Sequence, residues 1–182
     1  MPKSKSAYSV AGKKGKLETH IIVVWVDNEA GVLARVVGLF SGRGYNIESL
    51  AVAEVDSKFN ISRVTIVTTG TPEVIDQIKL QLKKLVPVHK VASFKRDDKK
   101  VIFKEMALFK FVTNSKKIKL IINACKRFNP VILDETNKSC VIQVTALRRE
   151  IDKMSKNFKK YGLVSISRTG AVAMTRGSEV FK

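Results

Sequence analysis

The sequence is poor in the residue types that usually build catalytic or metal sites. Its 182 residues include two histidines, two cysteines and one tryptophan. Cys125 and Cys140 are separated by fifteen positions, with no CxxC motif and no neighbouring histidine, which disfavours a zinc or redox site. We expect both to be free thiols that are buried for structural reasons, in keeping with a reducing cytoplasm.

Enzyme motifs are also missing. The sequence contains no nucleophile elbow, HExxH pair or phosphate-binding loop. The Gly-Arg-Gly at residues 42–44 lacks the third glycine of a dinucleotide-binding turn and follows a predicted helix rather than a strand. His20 and His89 fall in strand patterns, where structural roles are favoured, and Asp97–Asp98 and Asp134–Glu135 are predicted to lie in solvated loops. An independent enzyme therefore has little support.

Long apolar runs are absent as well. The longest dense one, His20–Val26, falls far short of the ~20 residues that span a membrane. Residues 1–19 are polar and basic, contain no arginine and lack an apolar secretory core. We predict that they form a flexible basic tail rather than a targeting peptide. We therefore expect a cytoplasmic protein that does not bind membranes.

Apolar spacing predicts a first module in the order β-α-β-β-α-β, which is typical of a ferredoxin-like fold. His20–Val26 is apolar at every position after the first, so both faces of this strand are expected to be buried. The first helix is predicted at Val32–Arg43 and to pack through Leu33, Val36, Val37 and Phe40. The other strands are predicted at Tyr45–Val55, Arg63–Thr69 and Val88–Phe94, and the second helix begins at Thr71-Pro72-Glu73.

A similar pattern follows the charged linker at residues 95–100. Helices are predicted at Ser115–Phe128 and Arg148–Tyr161, and strands at Ile102–Val112, Val131–Leu133, Cys140–Thr145 and Leu163–Ala173. The predicted fold class is therefore α+β, with two tandem ferredoxin-like modules at residues 20–94 and 101–176 and a tail at 177–182. Each small module leaves one sheet face uncovered unless another layer packs on it, so self-association is expected.

The net charge of +18 is distributed unevenly. Residues 1–19 contribute +4, residues 20–94 contribute +1 and residues 95–182 contribute +13. A nucleic-acid-binding ferredoxin-like protein is one explanation, since RNA-recognition modules share the β-α-β-β-α-β order. Such modules need exposed aromatic residues in a glycine-containing strand motif, and Phe109 and Phe111 come nearest without its glycines. We expect these two to be core or interface residues, and a lysine-biased surface is the favoured interpretation of the charge.

Two polar corners flank the first predicted helix: Asn28 and Gly31 precede it and Asn46 follows it. A helix N-terminus offers unpaired N–H groups to a carboxylate, Gly31 permits close approach of backbone, and an Asn offers both a donor and an acceptor to a zwitterion. We predict that both corners lie near one sheet edge and hold a free amino acid. Its aliphatic side chain would meet Val32, Leu33 and Ile47. The structural alternative is that Asn28 caps the helix, Gly31 serves a turn and Asn46 starts a strand.

The segment VDNEAGVLARVVGLFSGRGYNIESLAVAEV, residues 26–55, closely resembles the ACT domain of acetohydroxyacid (acetolactate) synthase small, regulatory subunits. Residues 62–91, SRVTIVTTGTPEVIDQIKLQLKKLVPVHKV, and residues 166–177, ISRTGAVAMTRG, extend the resemblance over nearly all of residues 20–177. Its specificity comes from N-E-x-G-x-L and G-Y-N-I-E-S occurring together at the family spacing. The second module resembles the family more loosely and is richer in lysine.

The resemblance implies a non-catalytic chain that binds and activates the thiamine-diphosphate-dependent large subunit. It also implies feedback inhibition by valine in branched-chain amino acid biosynthesis. Thiamine diphosphate, Mg²⁺ and FAD are then expected in the catalytic partner, and no cofactor in this chain. In the family the effector pocket lies between two ACT domains of a homodimer, and a bacterial cytoplasm is favoured over a plastid. The implied valine-binding residues are Asn28, Gly31, Val32, Leu33, Asn46 and Ile47, with no metal and no nucleic acid.

Overall fold

The computed structural model describes residues 16–178 and 180 of the chain. The predicted basic tail at residues 1–19 lies outside them except for its last four residues, and the predicted tail at 177–182 lies partly outside them. The chain forms two compact units. One runs to Ile102 and also contains the residues from Ala173 onward, and the other comprises Phe103–Val172.

The first unit contains a four-stranded antiparallel sheet with two helices. In chain order its elements are β1 (Glu18–Asp27), α1 (Val32–Gly42), β2 (Ser49–Asp56), β3 (Ile61–Gly70), α2 (Pro72–Leu82) and β4 (Val88–Lys95). The strands lie in the order β2-β3-β1-β4, which is the predicted ferredoxin-like arrangement. β2 and β4 are thus the edge strands, and β2 begins at Ser49 rather than at the predicted Tyr45.

The core of this unit follows from the continuous apolar run of β1. Ile22, Val24 and Val26 alternate along β1 and pack in one cluster with residues of α1 and α2, because successive strand residues point to opposite faces. On the other face Ile21 and Val23 are also buried. The predicted burial of both faces of β1 is therefore confirmed. Each such aliphatic side chain contributes about 1.5–3 kcal/mol by leaving water.

The inward face of α1 differs from the prediction at two positions. Its buried residues are Val32, Val36, Leu39 and Phe40, whereas Leu33 is 39% exposed and Val37 is half-buried. Once Val32 faces the core, residues four, seven and eight positions later share its face. The residue directly after Val32 is rotated by about 100° and points outward.

The second unit repeats the fold. Its elements are β5 (Val101–Val112), α3 (Ser115–Cys125), β6 (Val131–Glu135), β7 (Ser139–Ala146), α4 (Arg148–Phe158) and β8 (Leu163–Arg168). The strand that follows, β9 (Val172–Thr175), has its last three residues in the first unit. The first four strands of its sheet lie in the order β6-β7-β5-β8, and β9 pairs with β5. A short 3₁₀ turn follows each helix, at Lys126–Phe128 and Lys159–Tyr161. The predicted fold class, two tandem ferredoxin-like modules, is confirmed.

In both units a helix begins at a residue whose side chain caps it. The Oγ1 of Thr71 accepts a hydrogen bond from the Val74 amide, and Pro72 occupies the first helical position of α2. At α3, Asn114 Oδ1 accepts from the Lys117 amide at 3.0 Å. Capping of this kind stabilises a helix by about 1 kcal/mol.

The aromatic residues of the second unit lie in its core. Phe109 and Phe111 are completely buried, with ring centroids 5.4 and 5.5 Å from that of Phe158. Edge-to-face contacts at this distance are favourable for aromatic pairs. The prediction that Phe109 and Phe111 are core residues is confirmed, so neither can stack on a nucleic-acid base.

Two strand predictions in the second unit are wrong. The strand predicted at Leu163–Ala173 is interrupted between β8 and β9, where Gly170 adopts φ +80°, a left-handed conformation that ends regular pairing. Asp134 and Glu135, predicted to lie in a loop, form the exposed end of β6. Their pairing with Val141 and Cys140 of β7 extends the strand beyond its apolar residues.

A buried carboxylate is held within the second unit by a single arginine. Glu105 is one of the four buried polar or charged residues in the described chain, and its two oxygens accept from Nε and Nη2 of Arg168 at 2.7 and 2.8 Å. Nη1 of the same guanidinium donates to Asp152 Oδ1 at 2.7 Å. These carboxylates raise the pKa of Arg168. The arrangement ties β5, β8 and α4 together and leaves Glu105 no uncompensated charge.

Each α-helix is eleven residues long. Within the described part of the chain, no helix has the length and apolarity needed to cross a membrane.

Candidate functional site

Asn28 lies directly after β1 and is fixed by the turn between β2 and β3. Its backbone N–H donates to the Asn60 carbonyl at 2.7 Å, and Asn60 Nδ2 donates back to the Asn28 carbonyl at 3.1 Å. Asn60 makes this contact from a left-handed conformation with φ +53°, which asparagine tolerates better than most residues. Two successive peptide groups are therefore anchored before α1 begins.

The side-chain amide of Asn28 also has a defined orientation. Ser62 Oγ, on a buried residue of β3, donates to Asn28 Oδ1 at 3.0 Å. With that oxygen engaged, the Nδ2 group faces away and has no acceptor among the described residues. An amide NH₂ held in this way offers two donors to an anionic ligand.

The N-terminus of α1 lies three residues further on and is open. Gly31 is its N-cap residue with φ +83°, no side chain caps the helix, and no acidic residue occurs in the first turn. Asn28 therefore does not cap α1, contrary to the structural alternative. Apart from Gly31 and its two chain neighbours, no described atom lies within 4 Å of where a Cβ at Gly31 would be, so there is room for a ligand group beside this residue. The first backbone N–H groups of α1 and the helix dipole favour a bound anion.

Asn46 and Ile47 lie between α1 and β2. The Asn46 carbonyl accepts from Thr68 Oγ1 at 2.7 Å, its side chain is exposed, and Ile47 is half-buried against the core. Asn46 therefore precedes β2 rather than starting it.

The two polar corners lie at opposite ends of the sheet in one chain. Asn28 is bound to Ser62 and Asn46 to Thr68, six positions apart on β3, which is about 20 Å at ~3.3 Å per residue. The prediction that both corners share one sheet edge is therefore wrong within a chain. β1 and β2 are both antiparallel to β3 and run in the same direction, so the end of one and the start of the other are far apart. A pocket that uses both asparagines needs two chains.

The predicted apolar contacts are in different environments. Val32 is 4% exposed and belongs to the core, and its backbone N–H already donates to the Glu29 carbonyl at 3.3 Å. Leu33 is exposed beside it and can contact an aliphatic group. The sequence pattern did not separate these two neighbours, because both are apolar.

The two histidines and two cysteines have structural surroundings. His89 Nε2 lies 2.6 Å from Asp27 Oδ1, and His20 Nδ1 lies 3.0 Å from Ser93 Oγ. Both cysteines are fully buried free thiols, as predicted, and burial raises the pKa of Cys125 to about 11. Among the described residues, no three His, Cys, Asp or Glu side chains are grouped so as to hold a metal ion.

Comparison with known proteins identifies the family. Residues 22–90 match the AHAS small subunit-like ACT domain, and residues 104–177 match a domain described as the small subunit of acetolactate synthase. The acetolactate synthase small subunit of Aquifex aeolicus is 38% identical over 90% of this chain and 84% of that protein. The chain belongs to the acetolactate synthase small-subunit family.

Other members of the small-subunit family agree in length and fold. A probable acetolactate synthase small subunit of Archaeoglobus fulgidus is 36% identical over 88% of this chain and 98% of its own length. The crystal structure of the small subunit from Thermotoga maritima superimposes with a TM-score of 0.78 at 30% identity, covering 88% of this chain and 99% of that one. These matches confirm the resemblance recognised in the sequence. As a small, regulatory subunit the chain is not catalytic by itself.

Sequence reasoning missed Ser62 and Asn60, the residues that hold Asn28. Ser62 directly precedes the predicted strand Arg63–Thr69, and Asn60 closes the polar turn DSKFN. Nothing local connects either one to Asn28, 34 and 32 positions earlier. Only the β1–β3 pairing, with Asp27 opposite Ile61, brings them together.

Proposed function

We propose that this chain activates the catalytic large subunit of acetolactate synthase and confers feedback inhibition by valine. Membership of the small-subunit family supports the partnership. The observation that carries the effector site is the open N-terminus of α1 beside an asparagine amide that Ser62 holds in place. Thiamine diphosphate, Mg²⁺ and FAD would be bound by the catalytic partner, and the complex would act in branched-chain amino acid synthesis in a bacterial cytoplasm.

The chemistry of the Asn28 corner suits the carboxylate of a free amino acid. Backbone N–H groups at the start of α1 and the Nδ2 group of Asn28 all act as donors, and Gly31 leaves room for the ligand. Hydrogen bonds to a charged group contribute about 1.5–3 kcal/mol each. The exposed Leu33 side chain would contact the aliphatic part of valine.

A homodimer through the first unit would bring the second corner into the site. β2 is an edge strand with exposed Val52 and Val55, and a second copy can extend the sheet by pairing its own β2 around a two-fold axis. Because such strands are antiparallel, the start of one β2 lies beside the end of the other. Asn46 of one chain, which precedes β2, would then approach Asn28 of the other, which is bound to the turn that follows β2.

Valine bound between two chains can regulate the catalytic subunit only through unequal affinity for two states of the assembly. A site built from two chains meets this requirement, because any change in how the chains pair changes the distance between Asn28 and Asn46. The inhibited state is the one whose pairing places both asparagines around the ligand.

Replacing Gly31 with Asp tests the effector site. The new carboxylate would occupy the anion-binding space at the start of α1, so we expect the half-inhibitory valine concentration to rise at least about tenfold, equivalent to ~1.4 kcal/mol. Activation of the large subunit should be unchanged. Enzyme assays of the reconstituted complex measure both. Gly38→Asp, equally free of neighbouring atoms, controls for the added charge, and Gly31→Asn controls for a side chain at a position with φ +83°. Full valine sensitivity of Gly31→Asp would refute the site.

Ser62→Ala tests whether Ser62 orients the Asn28 amide. Removing one neutral hydrogen bond costs about 0.5–1.5 kcal/mol, so we expect roughly two- to tenfold weaker valine binding by calorimetry. Ser62→Thr keeps the hydroxyl and should restore binding, which a purely structural role would not require. Ser93→Ala, which removes the contact to His20 in the same sheet, is the control. Unchanged affinity in Ser62→Ala would show that the orientation has no role.

The second unit provides a basic surface that suits an acidic face of the large subunit. In α4 the acids are engaged within the unit, Glu150 with Arg127 at 2.6 Å and Asp152 with Arg168 at 2.7 Å. Lys153 and Lys156 remain exposed, together with the lysines of the following turn. A surface of one sign steers association with a partner of the opposite sign.

Reversing Lys153 and Lys156 to Glu should slow association with the large subunit about tenfold at low ionic strength. The difference should shrink as salt screens the charges. Stopped-flow or surface-binding kinetics over a salt series provide the measurement. Lys83→Glu with Lys84→Glu, an equal charge change on exposed residues of the first unit, is the control. Equal slowing by both pairs would assign the effect to net charge and exclude docking through α4.

A further inference from the structure

The edge strand β6 of the second unit presents an apolar surface that the described part of the chain does not cover. Val131, Ile132 and Leu133 are 49%, 41% and 51% exposed, and no described strand pairs with the outer edge of β6. Natural edge strands are usually protected by inward-pointing charge, lysine or bulges. β6 has two such features, a register shift at Leu133 and the charged pair Asp134–Glu135, yet its three adjacent apolar side chains remain exposed.

A recess lies next to this edge. It has a volume of about 600 Å³ and is lined by α3 and the segment that leads into β6, with residues Lys119, Ile122, Asn123, Lys126, Asn129 and Pro130. Ile132 pairs with the core residue Ile142 and therefore points to the same face of the sheet as α3. The edge and the recess thus form one surface, apolar at its centre and positively charged beside the start of β6.

The end of β6 carries the opposite charge. The second unit contains fifteen Lys and Arg against five Asp and Glu, and three of the five acids, Glu105, Glu150 and Asp152, are in ion pairs. Asp134 and Glu135 are the other two; they are exposed and have no ion-pair partner among the described residues. Glu135 pairs with the buried Cys140, so its side chain is on the helix-bearing face.

We propose that β6 is a second self-association surface, on which β6 of another copy of this chain pairs in antiparallel orientation. Two-fold pairing puts the apolar residues of both strands side by side. It also puts the acidic end of each strand beside the start of the other, where Lys126 lines the recess. The strand Val-Ile-Leu-Asp-Glu is therefore complementary to a second copy of the same region. Its apolar residues face those of the other copy, and Glu135 of one copy faces Lys126 of the other.

Within one chain Lys126 and Glu135 form no ion pair among the described residues. They flank opposite ends of a five-residue strand, which separates them by roughly 13 Å or more at ~3.3 Å per residue. A functional interaction between these two residues would therefore be intermolecular. This inference is independent of the valine site, because it uses only residues of the second unit.

Cysteine cross-linking tests the surface directly. In the full chain, Leu133→Cys should give covalent dimers with a short bis-maleimide at micromolar concentration, because the two strands meet there. Val164→Cys, equally exposed on the opposite edge strand β8, should stay at the level of the unsubstituted chain. That chain is a suitable blank, since its two thiols are fully buried.

Charge exchange on the Leu133→Cys background tests the predicted ion pair. Glu135→Lys should lower the initial cross-linking rate at low salt by about tenfold, and the double change Glu135→Lys with Lys126→Glu should restore it to within about twofold. Absence of Leu133→Cys dimers, equal cross-linking of Val164→Cys, or failure of the exchange to restore the rate would overturn the proposal. Cross-linking of Leu133→Cys only to the large subunit would overturn the proposal as well. Valine inhibition of the same variants is measured separately and tests the effector site, which does not depend on β6.

Discussion

The shared direction of strands β1 and β2 determines how far apart the two polar corners of the candidate site lie. β1 and β2 run parallel on either side of β3, so the loop after β1 and the segment before β2 lie at opposite ends of the sheet. Helix α1 connects the corners by spanning the sheet. One chain can therefore offer a carboxylate site at Asn28 and a polar group at Asn46, but never both to one small ligand. In the proposed function, ligand binding and chain pairing are therefore linked for geometrical reasons.

The Asn28 corner is organised before any ligand arrives. Its backbone is fixed by Asn60 and its amide oxygen by Ser62, while the end of α1 next to it has no competing cap. Preorganised donors bind an anion without the cost of reorientation. The contrast with α2 and α3 is clear, because Thr71 and Asn114 already cap those helices.

The sequence pattern predicted both ferredoxin-like modules, because apolar periodicity and helix-start residues such as Thr71 and Pro72 act locally. It also identified Gly31, whose positive φ is a local property. The sequence pattern did not predict features that depend on contacts between residues far apart in the chain. The separation of Asn28 from Asn46 and the contact of Ser62 with Asn28 depend on strand direction and register. The burial of Leu39 instead of Leu33 depends on which face of α1 packs against the core. The interruption at Gly170 depends on how β8 and β9 pair with β5.

The two units differ in their charge and in the kind of interaction that each is proposed to make. Residues 20–94, which contain the candidate site, carry a net charge of only +1, and the site relies on backbone donors and a fixed amide. In the second unit, the acids near α4 are paired internally, which leaves lysines for an acidic partner and Asp134–Glu135 at the end of β6. In the proposed function, long-range steering and short-range ligand recognition are thus assigned to different parts of the chain.

The most direct measurement of the two-chain site is complementation between Asn28→Ala and Asn46→Ala. Neither variant alone should bind valine by calorimetry. After subunit exchange, half of the dimers are mixed, and each mixed dimer has one site with both asparagines and one with neither, so about one quarter of the sites should recover. Recovery of that fraction is the predicted result. No recovery in a mixture whose subunits have demonstrably exchanged would contradict a site shared between two chains.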